Sequence, residues 1–178
     1  MKLLFSLCIF LGFLFTIPVS IIAQTAQTVQ PAETIPYTAE NEGWLVSVDE
    51  AYKLSKKTGR PILANFTGSD WCGWCKKLTA DVFTKPEFKD WASKNVILLE
   101  LDFPRRKVLP EEIKSQNMGM QQAFNVRGYP TIWLFDLEKD AEGKFNVSAL
   151  GQTGYRNSPD IFIGDLEAMF EKRANTGK

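Results

Sequence analysis

Two cysteines with two residues between them are the groups in this sequence best suited to chemistry. Cys72 and Cys75 lie in the run Trp-Cys-Gly-Trp-Cys-Lys, and Cys8 is the third cysteine of the chain. The chain contains no histidine, which excludes Ser–His and Cys–His catalytic pairs and histidine-ligated metals. A zinc site built from cysteine alone needs a fourth thiolate, so we predict no metal. The remaining function classes are cysteine redox chemistry, carboxylate chemistry and binding without catalysis.

The position of this pair favours redox chemistry. We predict a buried strand over 61–66 and a helix that begins at Cys72. At a helix start, unpaired backbone N–H groups and the positive end of the helix dipole favour a thiolate, which is the form that attacks a disulfide. Cys75 follows about one helical turn later on the same face, where it is placed to resolve a mixed disulfide. Lys76 adds positive charge nearby.

Hydrophobic patterning predicts an α/β domain. Strands are expected over the apolar runs 61–66, 96–102, 131–135 and 144–150. Helices alternate with these strands and a hairpin closes the sheet, which implies a central mixed sheet with helices on both faces. The run 96–102 is apolar at nearly every position, so we expect it to be a central strand. The charged segment 103–115 is expected to be a solvated loop or short helix, with a binding surface as the alternative.

The N-terminal 23 residues have the layout of a secretory signal peptide. Lys2 precedes a long apolar run that ends near Pro18, and small or polar residues lead to a cleavage position after Ala23. The protein is therefore expected to be exported, periplasmic or secreted, in a disulfide-permissive space. An uncleaved anchor is the alternative, and only that alternative brings contact with a membrane.

Residues 24–43 and 44–178 are expected to differ in order. The first segment is rich in Thr, Gln, Ala, Glu and Pro, which is typical of a flexible linker; an edge strand near Tyr37 is the alternative. The second is expected to be the folded domain. The chain carries 21 basic and 21 acidic side chains, and this balance argues against a nucleic-acid partner.

Two motifs resemble those of a known family. Residues 66–78, Phe-Thr-Gly-Ser-Asp-Trp-Cys-Gly-Trp-Cys-Lys-Lys-Leu, resemble the active-site segment of the thioredoxin family, and more narrowly of exported bacterial thioredoxin-like proteins. Residues 127–131, Arg-Gly-Tyr-Pro-Thr, are similar to the family loop whose proline follows a cis bond. The resemblance covers about 44–173 and implies a thioredoxin fold. It also implies that Cys72 is the nucleophile, that Cys75 is the resolving thiol, and that their redox-active disulfide replaces any cofactor.

The resemblance also implies a substrate groove. Pro130 would shape the groove, and the Tyr129 backbone would pair with an extended substrate segment. Trp71 and Trp74 would form its apolar rim, with Gly73 between the cysteines; ordinary packing is the alternative for both tryptophans.

The sequence departs from the family in two respects. Without histidine there is no imidazolium beside Cys72, which argues against a strongly oxidising enzyme. The family often has a buried aspartate before the motif, and the nearest match here is Asn65, which does not accept a proton in the same way. Glu100 or Asp102 on the neighbouring strand are the candidate substitutes; the alternative is that both are strand-end acids without a catalytic part.

These observations predict an exported thiol–disulfide oxidoreductase, acting as a disulfide reductase. Its substrates would be protein or peptide disulfides, and another redox protein would reset the cysteine pair. A peptide-binding or chaperone-like module with non-catalytic cysteines is the alternative from a different class. Metal transfer by the cysteine pair is a third interpretation.

Overall fold

A mixed four-stranded sheet forms the centre of the domain. The computed structural model describes residues 37–176; the predicted signal peptide and most of the predicted linker lie outside them. The strands are β1 (Ile62–Thr67), β2 (Ile97–Asp102), β3 (Thr131–Lys139) and β4 (Phe145–Thr153). Their order is β2-β1-β3-β4. β1 and β2 are parallel, whereas β1–β3 and β3–β4 are antiparallel, so the predicted mixed sheet is confirmed.

Five helices surround the sheet in the described part of the chain: α1 (Val48–Thr58), α2 (Gly73–Leu78), α3 (Pro86–Asn95), α4 (Glu111–Ala123) and α5 (Pro159–Thr176). A π-helical turn, Thr79–Phe83, continues α2. The ends of α1 follow from local chemistry. The Ser47 hydroxyl accepts a hydrogen bond from the Glu50 N–H at 3.3 Å, and Gly59 ends the helix with a φ of 72°. None of these helices is long and apolar enough to cross a membrane.

Each face of the sheet buries its own hydrophobic core. Leu63 of β1 belongs to one core, with Phe88 of α3 and Phe162 of α5. The alternate residues Ala64 and Phe66 belong to the other, together with residues of α1 and α4. Since successive side chains of a strand point to opposite faces, β1 connects the two cores. The predicted helical cover on both faces is confirmed.

The prediction that residues 96–102 form a central strand is wrong. The run expected to be central forms β2, which lies at the edge, and β1 and β3 are the inner strands. Five of the six β2 residues are buried, because helices cover both faces. An apolar run indicates that both faces of a strand are covered, but it does not indicate which strands lie beside it in the sheet. The outer edge of β2 is partly protected by a single parallel bridge between Leu45 and Leu99.

Two segments differ from their sequence-based description. Residues 37–43, which we call the strap, form no strand but contact β2 through hydrogen bonds from Glu40 and Asn41 to Glu100. This part of the predicted linker is therefore attached to the domain. The segment 103–115 divides into a loop over 103–110 and the first turn of α4, which begins at Glu111.

Candidate active site

The two cysteines form a disulfide at the start of α2. Their Cα atoms are 5.3 Å apart. Cys72 is the N-cap residue of α2, and its Sγ accepts a hydrogen bond from the Cys75 N–H at 3.2 Å. β1 ends at Thr67, shortly before this motif, so the predicted strand–motif–helix order is correct. Negative charge on Cys72 Sγ after reduction would be stabilised by the same N–H group.

Both sulfur-bearing side chains are largely covered in this oxidised form. Cys72 is 6% exposed and Cys75 is 4% exposed. Cys72 Sγ lies 3.7 Å from the Tyr129 carbonyl oxygen, so the Pro130 loop covers part of it. Exposure therefore differs little between the two cysteines in the disulfide form. The helix N-terminus distinguishes Cys72 more clearly than exposure does.

The Pro130 loop meets the cysteines because of strand register. β3 runs antiparallel to β1 with Thr131 opposite Phe66, so the start of β3 lies beside the end of β1. The Tyr129–Pro130 peptide bond, just before β3, is cis. The Tyr129 hydroxyl accepts a hydrogen bond from the Gln121 side chain at 2.6 Å. Burial, with a smaller effect from the Asp102 carboxylate, raises the pKa of Tyr129 to about 12.

Trp71 is packed into the wall of the site. Its indole N–H donates to the Phe103 carbonyl at 2.9 Å, and its ring meets the Tyr129 ring edge-on at 5.9 Å. The Arg105 guanidinium lies 3.9 Å from its ring centroid, a cation–π contact. A Cβ at Gly68 would lie 2.5 Å from the indole, so this close approach requires glycine.

Trp74 and Gly73 form the open part of the site. Trp74 is 59% exposed, with its ring centroid 5.0 Å from that of Tyr155. No atom lies within 4 Å of the position that a Cβ would take at Gly73. The Tyr155 hydroxyl donates to the Asp81 carboxylate at 2.8 Å, which fixes the ring beneath Trp74.

Of the candidate acids, Glu100 lies beside the cysteines. Glu100 is 1% exposed and lines a cavity of about 290 Å³ together with Cys75 and Lys76. Burial raises the pKa of Glu100, although hydrogen bonds from the Glu40 and Asn41 N–H groups oppose this effect.

The other two candidates have different surroundings. The Asp102 carboxylate accepts hydrogen bonds from the Ser69 N–H and hydroxyl, at 2.9 and 2.6 Å, and it does not line the Cys75 cavity. Asn65 pairs with Glu100 in the β1–β2 register and is 2% exposed. Its Oδ1 has no hydrogen-bond partner within residues 37–176. Lys76 donates to the Asp70 carbonyl at 3.2 Å and is placed on the rim of the cavity.

Asp70 is a residue of the site that sequence reasoning missed. Its carboxylate accepts hydrogen bonds from the backbone N–H groups of Arg105, Arg106 and Lys107, the shortest at 2.6 Å. Partial desolvation raises the pKa of Asp70, but these three hydrogen bonds outweigh it and hold that pKa below its usual value. Its position directly before Trp71 was the available signal. The partner loop lies 35 residues away in sequence and was not identifiable.

Within residues 37–176, no three cysteine or acidic side chains lie together as a metal site.

Comparisons with known proteins agree with this geometry. A thioredoxin-like domain model matches residues 48–166. The disulfide bond reductase DsbH of Chlamydia pneumoniae is 36% identical over 138 residues, which are 77% of this chain and 80% of that protein. A solved structure of a DsbH oxidoreductase has a TM-score of 0.62 at 29% identity, over 79% of this chain and 95% of that chain. A thioredoxin from Thermus thermophilus, at 18% identity, has a TM-score of 0.53 over 74% of this chain and 89% of that chain, and it shows the fold alone.

The chain belongs to the thioredoxin-like family. With a Cys-x-x-Cys disulfide in the position described above, it is a thiol–disulfide oxidoreductase, as the sequence predicted.

Proposed function

We propose that this protein is a disulfide reductase in which Cys72 attacks and Cys75 resolves. The observation that carries the proposal is the position of Cys72 as the N-cap of α2, with the Cys75 N–H 3.2 Å from its sulfur. This position favours a thiolate. The similarity to a protein named as a disulfide bond reductase supports the direction of electron flow.

The reaction begins with the reduced protein. The Cys72 thiolate attacks one sulfur of a substrate disulfide, a Cys72–substrate bond forms, and the other substrate sulfur leaves as a thiolate. Cys75 then attacks Cys72 Sγ, which closes the Cys72–Cys75 disulfide and releases the second substrate thiolate. Two electrons pass to the substrate, and its thiolates take protons from solvent. A dithiol protein must then reduce the Cys72–Cys75 disulfide.

Glu100 is the proton acceptor for Cys75 in this proposal. The Cys75 thiol must lose its proton before it attacks, and the two side chains line the same cavity. Burial raises the pKa of the Glu100 carboxyl toward the range useful for accepting a proton at neutral pH. Asp102 is less suited, because it does not line the cavity that contains Cys75.

The substrate would bind at the open part of the site. Trp74 and Gly73 leave space beside the disulfide, and Tyr129 and Pro130 form the adjoining edge. An extended peptide is expected to pair with the Tyr129 backbone and to rest an apolar side chain on Trp74. Trp71 would support the site from its packed position in the wall. Protein or peptide disulfides are thus the substrate class.

We also propose that the protein acts outside the cytoplasm. The N-terminal pattern of residues 1–23 supports export, and an oxidising space supplies substrate disulfides. Its redox partner would be the dithiol protein that resets the cysteine pair.

Two cysteine variants test the mechanism. Cys72→Ser should reduce insulin-disulfide reduction to the background rate, because no thiolate remains to attack. Cys75→Ala should instead retain the attack and accumulate substrates as mixed disulfides, visible on non-reducing gels. Full reductase activity in Cys72→Ser would refute the proposal. If neither wild type nor Cys75→Ala exchanges with glutathione or insulin, the non-catalytic peptide-binding interpretation is favoured.

A further inference from the structure

The strap supplies the hydrogen bonds of the buried Glu100 carboxylate. The Glu40 N–H donates to Oε1 at 2.7 Å. The Asn41 backbone and side-chain N–H groups donate to Oε2 at 3.3 and 2.6 Å. A carboxylate that is 1% exposed is costly to ionise without such donors. How readily Glu100 carries charge therefore depends on a segment about 60 residues earlier in the chain.

The same segment borders the cavity next to the resolving cysteine. Glu40 and Asn41 line the cavity of about 290 Å³ that Glu100 shares with Cys75. A polar space of this size holds water, and water would carry a proton between carboxylate and sulfur. The strap thus closes one side of the path that the proton would take.

The charged and titratable groups around Glu100 come from three elements. They are Tyr37 and Glu40 of the strap, Asp102 of β2, and Lys76 and Cys75 of α2. Asp102 disfavours charge on Glu100, whereas the N–H donors of the strap favour it.

The strap is also fastened to the wall of the site. Glu40 forms an ion pair with Lys107. Lys107 belongs to the loop that the Asp70 carboxylate holds through backbone N–H groups. The Leu45 N–H donates to the Leu98 carbonyl at 2.9 Å, which fixes the chain just after the strap. The contacts with Glu100 are therefore held from both directions.

We propose that the strap is a working part of the redox site and that Asn41 is a positioning residue, which holds the Glu100 carboxylate for proton exchange with Cys75. This inference rests on the proposed function. When the Cys75 thiol attacks, its proton passes through cavity water to Glu100, and no electrons move between them. The proton later returns to solvent or to the departing substrate thiolate.

Substitution of Asn41 tests the proposal. Asn41→Leu removes the side-chain donor at similar volume, and Asn41→Asp replaces it with a negative charge. Both changes disfavour the Glu100 carboxylate, so the acid limb of the pH–rate profile for insulin reduction should move to higher pH by about one unit, tenfold in proton affinity. The Glu100 carboxyl carbon resonance should show the same shift in its own titration by NMR, a readout that a merely structural role would not move.

Glu42→Gln is the matched control. Glu42 lies in the same strap, its side chain is 94% exposed, and it pairs only loosely with Lys89 at 3.8 Å. This variant should keep the wild-type acid limb and the wild-type Glu100 titration. Glu100→Gln should remove the contribution of the carboxyl to the acid limb, and the ionisation of Cys72 should then set what remains of it.

The outcomes separate the two proposals. If the Glu100 titration and the acid limb are unchanged in whichever Asn41 variants fold, the role of the strap is overturned while the reductase function stands. If wild type reduces no disulfide but Asn41→Asp still shifts the Glu100 titration, the reductase function fails and the coupling between strap and carboxylate stands.

Discussion

The two tryptophans that flank Cys72 have opposite surroundings. Trp71 donates a hydrogen bond to Phe103, meets Tyr129 edge-on and lies under the Arg105 guanidinium. Trp74 is 59% exposed. The difference follows from position, because Trp71 lies in the turn before α2, whereas Trp74 is in its first turn. Two identical residues beside one disulfide thus have different surroundings. Trp71 is packed into the wall of the site, whereas Trp74 is exposed and, in the proposed function, would offer a surface to substrate.

The wall of the site, into which Trp71 packs, includes a second loop, residues 103–110. Residues 103–110 carry three basic side chains in succession, and their backbone is bound by the Asp70 carboxylate. Phe103 stacks on Tyr129 with ring centroids 5.2 Å apart, which connects this loop to the Pro130 loop. Trp71 lies between them. On the packed side of the site, three loops therefore contact one another. The rigidity of this side should depend on Trp71 more than on any exposed residue.

The largest change in the free energy of unfolding is expected from Trp71→Ala. Loss of the indole removes the hydrogen bond to Phe103 and the contacts with Arg105 and Tyr129. The free energy of unfolding should fall by about 2–3 kcal/mol, somewhat below the range for truncation of a fully buried aromatic ring, because the ring is only partly buried. Urea denaturation followed by circular dichroism measures it. Trp71→Phe, which keeps a ring but not the N–H donor, should lose about 1 kcal/mol; equal stability of Trp71→Ala and wild type would contradict the structural role.

A smaller, local effect is expected from Asp70→Ala. The variant should speed amide hydrogen exchange at Arg105, Arg106 and Lys107 with little change in global unfolding. Because the pKa of Asp70 is lower in the folded state than in the unfolded state, its contribution is complete above the unfolded pKa, at about pH 4, and is lost as pH falls through the folded pKa. Wild-type protection at these amides should therefore decline in acid, whereas the variant should lack that decline. Identical exchange profiles would show that Asp70 does not hold the loop.

The local part of this architecture was readable from sequence. The cysteine pair and the helix after it depend on contacts between residues close in the chain. The strand before the pair has partners distant in sequence, but its own apolar run predicts it, and the prediction of each element is confirmed. The cap at Ser47 and the end of α1 at Gly59 are local in the same way. Such features follow from hydrogen-bonding groups and backbone preferences within one turn.

Contacts between distant segments were not readable. The lateral order of the strands, the Asp70 contacts with 105–107 and the strap contacts with Glu100 depend on which loops meet after folding. The hydrophobic periodicity of the sequence does not predict which of these segments come into contact. β3 is also longer than predicted and extends to Lys139. Its outer half contains Asp136, Glu138 and Lys139, whose charged side chains interrupt the apolar run from which the strand was predicted.

Trp74→Ala should give a small change in stability and a selective change in function. The ring is mostly exposed and contacts Tyr155 with a centroid distance of 5.0 Å, so the free energy of unfolding should fall by about 1 kcal/mol or less. Reduction of a peptide disulfide should show a KM raised severalfold with kcat nearly unchanged, because the variant loses a surface that holds substrate and not the reacting sulfurs. Glu167→Gln on α5 is the control for a surface change, because this exposed side chain accepts a hydrogen bond from Trp91 of α3. A fall in kcat with constant KM would mean that Trp74 acts on the disulfide itself, and the division of tasks between the two tryptophans would be wrong.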